Sequence, residues 1–221
     1  MQRGKCRYVD YLSDHLERVD EIPEACTWVM RQGLWLDKGV PDHHNLCDII
    51  AVYSNHVSCI EIALGRSDYE LAEQVLENSE MFVERELGYS SIGSKIVECD
   101  NLKKRGRRGA ASNKHEKYLD NLIERMYLID EDINDIRWIM RDGIWLQENS
   151  KARNKLCDII AVRYDESVCC IELKGSYDNE GKAKKQLRSS ERFVRKSLGY
   201  DDITKKVAFY SGGGYDWKQI S

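Results

Sequence analysis

The chain repeats itself. Leu46-Cys-Asp-Ile-Ile-Ala-Val52 recurs unchanged as Leu156–Val162. Trp28-Val-Met-Arg-Gln-Gly-Leu-Trp-Leu36 matches Trp138-Ile-Met-Arg-Asp-Gly-Ile-Trp-Leu146. Ser58–Ile62 matches Cys169–Leu173, and the Leu87-Gly-Tyr89 run returns as Leu198-Gly-Tyr200. The offset drifts only from 107 to 111, as short loop insertions would produce. A repeat of this kind constrains the fold more than composition does, because each copy must build the same supersecondary unit.

The copies divide the chain into 1–102, a basic Gly-containing linker at 103–113, and 114–221. Each reads in the same order. A first helix is expected through Tyr11–Val19 and Glu116–Met126. A second helix should carry Trp28 and Met30, or Trp138 and Met140, and stop at Gly33 or Gly143. A short strand follows (Leu34–Leu36, Ile144–Leu146). Two strands rich in Ile, Val and Cys then join through a tight turn. A long helix and a last strand (Lys95–Cys99, Lys206–Tyr210) close the copy. The expected class is α/β, two tandem αβββαβ domains, each a central mixed sheet flanked by helices.

The strand pair carries the chemistry. Side chains two apart on a strand share a face, so Glu172 and Lys174 point one way and Leu173 the other. A three-residue loop at 164–166 pairs 163 with 167 and sets Asp158 opposite Glu172. In the first copy a two-residue turn at 54–55 sets Asp48 opposite Glu61. Two carboxylates about 5 Å apart call for a cation between them. The lysine position of the first copy is Ala63. The bland alternative makes Glu172 and Lys174 an ordinary surface ion pair, worth little.

The helix after the motif separates the copies further. From 181 to 198 it carries Lys182, Lys184, Lys185, Arg188, Arg192, Arg195 and Lys196 against Glu191. The matching stretch from 70 to 87 has six glutamates against Arg85. Net charge is only -4, so any nucleic-acid surface is local. Lys182, Lys184, Lys185, Arg188 and Arg192 are the candidate contacts to a phosphate backbone.

Asp158, Glu172-Leu-Lys174 and the surrounding element order resemble the PD-(D/E)xK, or restriction-endonuclease-like, nuclease superfamily. The likeness is nearest the archaeal Holliday-junction-resolvase and Mrr-like branch. Cys157 stands where that family has a proline. The resemblance implies that Asp158, Glu172 and the Leu173 carbonyl bind Mg²⁺, with Mn²⁺ as substitute. It implies that Lys174 orients the attacking water, with Gln186 on the following helix beside it. Glu124 is a candidate from the first helix, although Glu17 matches it in the other copy. The implied activity is a metal-dependent endonuclease on nucleic acid, DNA rather than RNA. One active site would serve each chain, Asp48, Glu61 and Ala63 forming a degenerate twin. A homodimer through the nuclease-like domains is a further expectation. The alternative is a non-catalytic nucleic-acid-binding or scaffold protein of a repair or defence complex.

Other features say less. The chain has no apolar run long enough for a membrane span, and its start lacks a signal-peptide core. An intracellular, cytoplasmic protein with reduced, buried cysteines is expected. His43-His44 reads as a polar loop, and Ser211–Gly214 as a flexible turn before an anchored tail.

Overall fold

The computed structural model describes residues 26–36, 44–98, 110–129, 131–146, 153–175, 179–211 and 214–221, with Val9, Leu12, Ser13 and Leu16. It is an α/β fold in which two mixed sheets are flanked by helices. The chain forms two compact units. One comprises Met1–Gly106 with Gly143–Asn154, the other Arg107–Asp142 with Lys155–Ser221.

The first unit holds β1 (Cys26–Met30), β2 (Gly33–Trp35), β3 (His44–Asn45), β4 (Ile49–Tyr53), β5 (Val57–Ala63), α1 (Tyr69–Phe82) and β6 (Ile92–Glu98). Strand β1 pairs antiparallel with β4, β4 with β5, and β5 runs parallel to β6. The second unit holds α2 (Ala110–Glu124), β7 (Ile136–Arg141), β10 (Ile159–Arg163), β11 (Val168–Lys174), α3 (Glu180–Phe193), β12 (Ile203–Ser211) and β13 (Gly214–Gln219). Its strands run β13-β12-β11-β10-β7, antiparallel except for the parallel β11–β12 pair.

Two short strands of the second repeat, β8 (Ile144–Leu146) and β9 (Arg153–Lys155), extend the first unit's sheet beside β1. Val29 pairs with Ile144 there, and Ile144 joins a core of Leu12, Val29, Ile49, Tyr53, Ile60 and Ile62. The sequence-based division assigns 143–154 to the second copy. In space these residues belong with the first.

The helix expected around Trp28 and Trp138 is a strand in both copies, β1 and β7. Both segments are buried almost continuously, and β1 has neighbours on either side, β4 and β8. A short unbroken apolar run fits a central strand as well as a buried helix, and neighbours decide between them. The following turn places Gln32 and Asp142 at φ of 68° and 45°. The Gln32 amide donates to the Asp48 carbonyl at 3.2 Å, and the Asp142 amide to the Asp158 carbonyl at 3.3 Å. The expected glycine stop is therefore a tight turn tied to the motif strand.

The anchored tail is strand β13, paired with β12 from Lys206↔Gln219 to Ser211↔Gly214. Two further expectations change. Helix α2 begins at Ala110, inside the expected linker; 103–109 lie outside the described residues, as does most of Tyr11–Val19. His43 also lies outside them, whereas His44 stands on β3 with its ring centroid 5.8 Å from that of Trp35.

Helices α1 and α3 both end in a π-turn followed by a left-handed glycine, Gly88 at φ 74° and Gly199 at φ 81°. That conformation costs other residues strain, which accounts for the Leu-Gly-Tyr signature in each copy.

Candidate active site

The hairpin registers set the carboxylates. Ile159 pairs with Ile171 and Ile49 with Ile60, so one step outward sets Asp158 beside Glu172 and Asp48 beside Glu61. In the second copy the Arg163 amide donates to the Ser167 carbonyl across a loop ending in Glu166 at φ 67°. In the first, the Tyr53 amide donates to the His56 carbonyl across two residues. The extra residue is absorbed by the turn.

Each pair is laced by backbone amides. The Asp158 amide donates to Glu172 Oε2 at 3.2 Å, and the Leu173 amide to Asp158 Oδ2 at 2.8 Å. The first copy repeats both bonds at 2.9 Å, from Asp48 to Glu61 Oε2 and from Ile62 to Asp48 Oδ2. Asp158 and Glu172 are each 1% exposed and the Lys174 side chain only 18%, so Glu172 and Lys174 are not an ordinary surface ion pair.

A serine on the following helix fastens that helix to the motif. The Cys157 amide donates to Ser190 Oγ at 2.8 Å, and Ser190 Oγ donates to the Gln186 carbonyl at 3.0 Å. Cys47, Ser79 and Val75 repeat the arrangement. Gln186 is thereby held over the site. Its Oε1 accepts from Lys174 Nζ at 3.2 Å, while its Nε2 lies 3.4 Å from the Leu156 carbonyl. Lys174 Nζ also donates to Glu172 Oε1. Asp158, Glu172, Lys174 and Gln186 thus form one connected group.

Two further basic side chains reach Asp158. His115 Nε2 on α2 lies 3.4 Å from Oδ2. Lys155 Nζ lies 3.7 Å from Oδ1 and 3.3 Å from Asp142 Oδ1. Neither stands out in the motif itself. Aligning the whole copies exposes both, since His115 stands against Tyr8 and Lys155 against Asn45. Glu124, the residue expected from this helix, is exposed. Nine residues after His115 it sits about 2.5 turns on, on the opposite face and roughly 13 Å along the axis.

The carboxylates titrate as a unit. Burial, joined by the charge of Asp158, pushes Glu172 up to about 7. Burial would also raise Asp158, but His115, Lys155 and the Leu173 amide outweigh it and hold this carboxyl below its ordinary value. The hydrogen bond to Asp158 lifts His115 above the usual histidine value despite burial. Of the two, Asp158 holds its negative charge more firmly than Glu172.

This donor set fits a divalent cation. Mg²⁺ keeps several waters and needs only one or two protein carboxylates. A +2 ion between Asp158 and Glu172 would relieve the repulsion that raises Glu172. Among the described residues no group of three or more His, Cys, Asp or Glu side chains is placed to hold a metal ion. The Leu173 side chain is buried.

Helix α3 presents a cationic stripe. Lys182, Lys185 and Arg192 fall within about 80° of one another at 100° per residue, with Arg188 within about 120°. Ala183, Leu187, Ser190 and Phe193 take the buried side. Among the described residues, the ion pairs of this helix join Glu180 to Lys184 and Lys218, and Glu191 to Lys205 and Arg195, with Arg195 also on Asp201; none involves the stripe. Equivalent first-copy positions include Leu71, 65% exposed, Glu77 and Met81, 39% exposed.

No family model matches the chain, and no curated protein matches it. Among solved structures, a repair endonuclease from Pyrococcus abyssi aligns over 93% of this chain and 88% of that one, at 8% identity and a TM-score of 0.26. A likeness that low carries no argument. Among the described residues no helix is long and apolar enough to cross a membrane.

Proposed function

We propose that the chain is a metal-dependent phosphodiesterase, an endonuclease of the PD-(D/E)xK type acting on DNA, with its working site in the second repeat. The observation that carries this is the buried Asp158–Glu172 pair joined through Lys174 to Gln186. Phosphodiester hydrolysis needs a positioned water and positive charge where the phosphorane develops. A bound Mg²⁺ or Mn²⁺ would supply Lewis acidity at Asp158, Glu172 and the Leu173 carbonyl.

The chain's own groups do the rest. Lys174, steadied by Glu172 and Gln186, orients the water and offsets charge on the phosphate. The α3 stripe, Lys182, Lys185, Arg188 and Arg192, draws in the backbone; Lys184, paired with Glu180, contributes less. The first repeat keeps the Asp48–Glu61 pair with Ala63 and Val75 in place of the lysine and glutamine. It serves as a structural twin that leaves one active site per chain.

The test is cleavage of end-labelled duplex, branched and single-stranded DNA, and matched RNA, with Mg²⁺ or Mn²⁺. Metal-dependent cleavage abolished in Lys174→Ala supports the reading. Salt-sensitive binding without cleavage under every metal condition would instead make the protein a non-catalytic nucleic-acid binder.

A further inference from the structure

We infer that Trp217 is a stacking platform for an unpaired nucleobase, and that the site of the second repeat takes single-stranded DNA in preference to duplex. The inference rests on the proposed phosphodiesterase site and names its substrate class.

Trp217 stands on β13, the end strand of its sheet, and is 36% exposed. Lys206 Nζ lies 4.3 Å from the centroid of its ring. That ammonium is itself fixed, 2.7 Å from Glu131 Oε1 and donating to the Ile129 carbonyl at 2.7 Å. A buried cation thus holds the indole from one side and leaves its exposed part outward. A ring already fixed loses little side-chain freedom when a base stacks on it.

The strand register ties this platform to the catalytic group. Trp217 pairs with Ala208, and Ala208 with Leu173. Two strand spacings, about 10 Å, separate the Trp217 backbone from that of Leu173. Tyr215 pairs with Tyr210, one step beyond the Lys174–Phe209 pair. The Tyr210 ring stacks on that of Tyr118 with centroids 3.6 Å apart, and Tyr118 lies one turn of α2 from His115, the residue beside Asp158. Aromatic rings therefore run from the motif end of the sheet to Trp217. Alternation puts Tyr210, Tyr215 and Trp217 on the Leu173 face, so a strand held at Lys174 reaches them by turning over the β13 edge.

A base stacks on an indole only if its own π-face is free. In a duplex the neighbouring bases, about 3.4 Å away along each strand, cover both faces. An unpaired strand can splay its bases onto aromatic side chains, whatever its sequence. The repeats carry the same contrast. Cys99 stands at the Tyr210 position of the first repeat, and no Tyr, Trp or Phe occurs from 99 to 117. The rings, like the basic stripe, accompany the repeat that keeps Lys174 and Gln186.

The deciding experiment measures binding of the full chain, with and without Ca²⁺, to a dye-labelled single strand and to the duplex of the same sequence, by fluorescence anisotropy. A second set of single strands carries 2-aminopurine at one position each, whose emission falls when it stacks. The wild type should bind the single strand at least about tenfold more tightly than the duplex and quench 2-aminopurine. Trp217→Ala should weaken single-strand binding by about tenfold and lose the quenching, with duplex binding unchanged. Trp217→Phe, which keeps a ring, should retain most of both, whereas Trp217→Leu, apolar without a ring, should not. Circular dichroism shows whether each variant is folded, and the wild-type comparison decides even if all three misfold. Metal-dependent cleavage with no preference for the single strand, or unchanged single-strand affinity in folded Trp217→Ala and Trp217→Leu, overturns this inference and leaves the proposed function standing. Trp217-dependent single-strand binding without cleavage under any metal condition overturns the proposed function and leaves the platform. Binding to neither substrate overturns both.

Discussion

Asp158 donates its backbone amide to Glu172 Oε2 at 3.2 Å, and Asp48 does the same to Glu61 Oε2 at 2.9 Å. The carboxylate pair is thus an architectural property of both repeats, maintained by the strands. What differs is the surroundings. Four positions around the pair, His115, Lys155, Lys174 and Gln186, are Tyr8, Asn45, Ala63 and Val75 in the first repeat.

The buried pair should make stability pH-dependent in a stated direction. Glu172 is raised to about 7 from an ordinary 4.5, so between those values the folded state holds more protons than the unfolded state. Stability from this group is full below the unfolded value and is lost as pH rises through about 7. Glu172→Gln cannot ionise and escapes that loss. In metal-free urea unfolding it should gain on the wild type between about pH 4 and pH 8, by on the order of 3 kcal/mol. Parallel pH profiles for the two proteins would count against the raised Glu172.

Ser190 holds α3 to the motif through the Cys157 amide at 2.8 Å. Ser190→Ala leaves that buried amide without its partner, which costs about 1–3 kcal/mol. Ser79→Ala should cost a similar amount in the first repeat, through the Cys47 amide. Only the Ser190 variant should also slow cleavage, because only α3 carries Gln186. Equal effects of both variants on cleavage would separate the helix strap from the chemistry.

The α3 stripe should set the salt dependence of nucleic-acid binding. Replacing Lys185, Arg188 and Arg192 by alanine should reduce the slope of log Kd against log salt by about 2–3, at roughly 0.7–0.9 per phosphate contact. Fluorescence anisotropy from about 50 to 200 mM salt measures it. Glu73→Gln and Glu77→Gln on the equivalent first-repeat helix should leave the slope alone. An unchanged slope in the triple variant would place the interface elsewhere.

The α/β class and the hairpin that carries the carboxylates were legible in the sequence, whereas the type and placing of several elements around them were not. The alternation of Glu172, Leu173 and Lys174, together with the turn lengths, specifies the hairpin register, because a one-residue slip would turn Glu172 to the other face. Trp28 and Trp138 misled for a physical reason: a central strand buried on both faces shows no alternation, and the glycine after it imitates a helix stop. The place of β8–β9 in the first unit's sheet has no local signature, since Ile144 would be buried beside any β1-like strand. His115 was hidden by distance along the chain and by the expectation of an acidic ligand at Glu124.

The most direct test of the account is a comparison of metal-dependent cleavage by the wild type, Lys174→Ala, Asp158→Asn and Asp48→Asn, on one labelled DNA substrate. All four proteins should be folded. The account predicts that Lys174→Ala and Asp158→Asn each lose cleavage by at least about a hundredfold, the scale of removing a preorganised transition-state contact. Asp48→Asn should retain the wild-type rate. Undiminished cleavage in Lys174→Ala and Asp158→Asn, or a comparable loss in Asp48→Asn, would contradict the assignment of a single working site to the second repeat.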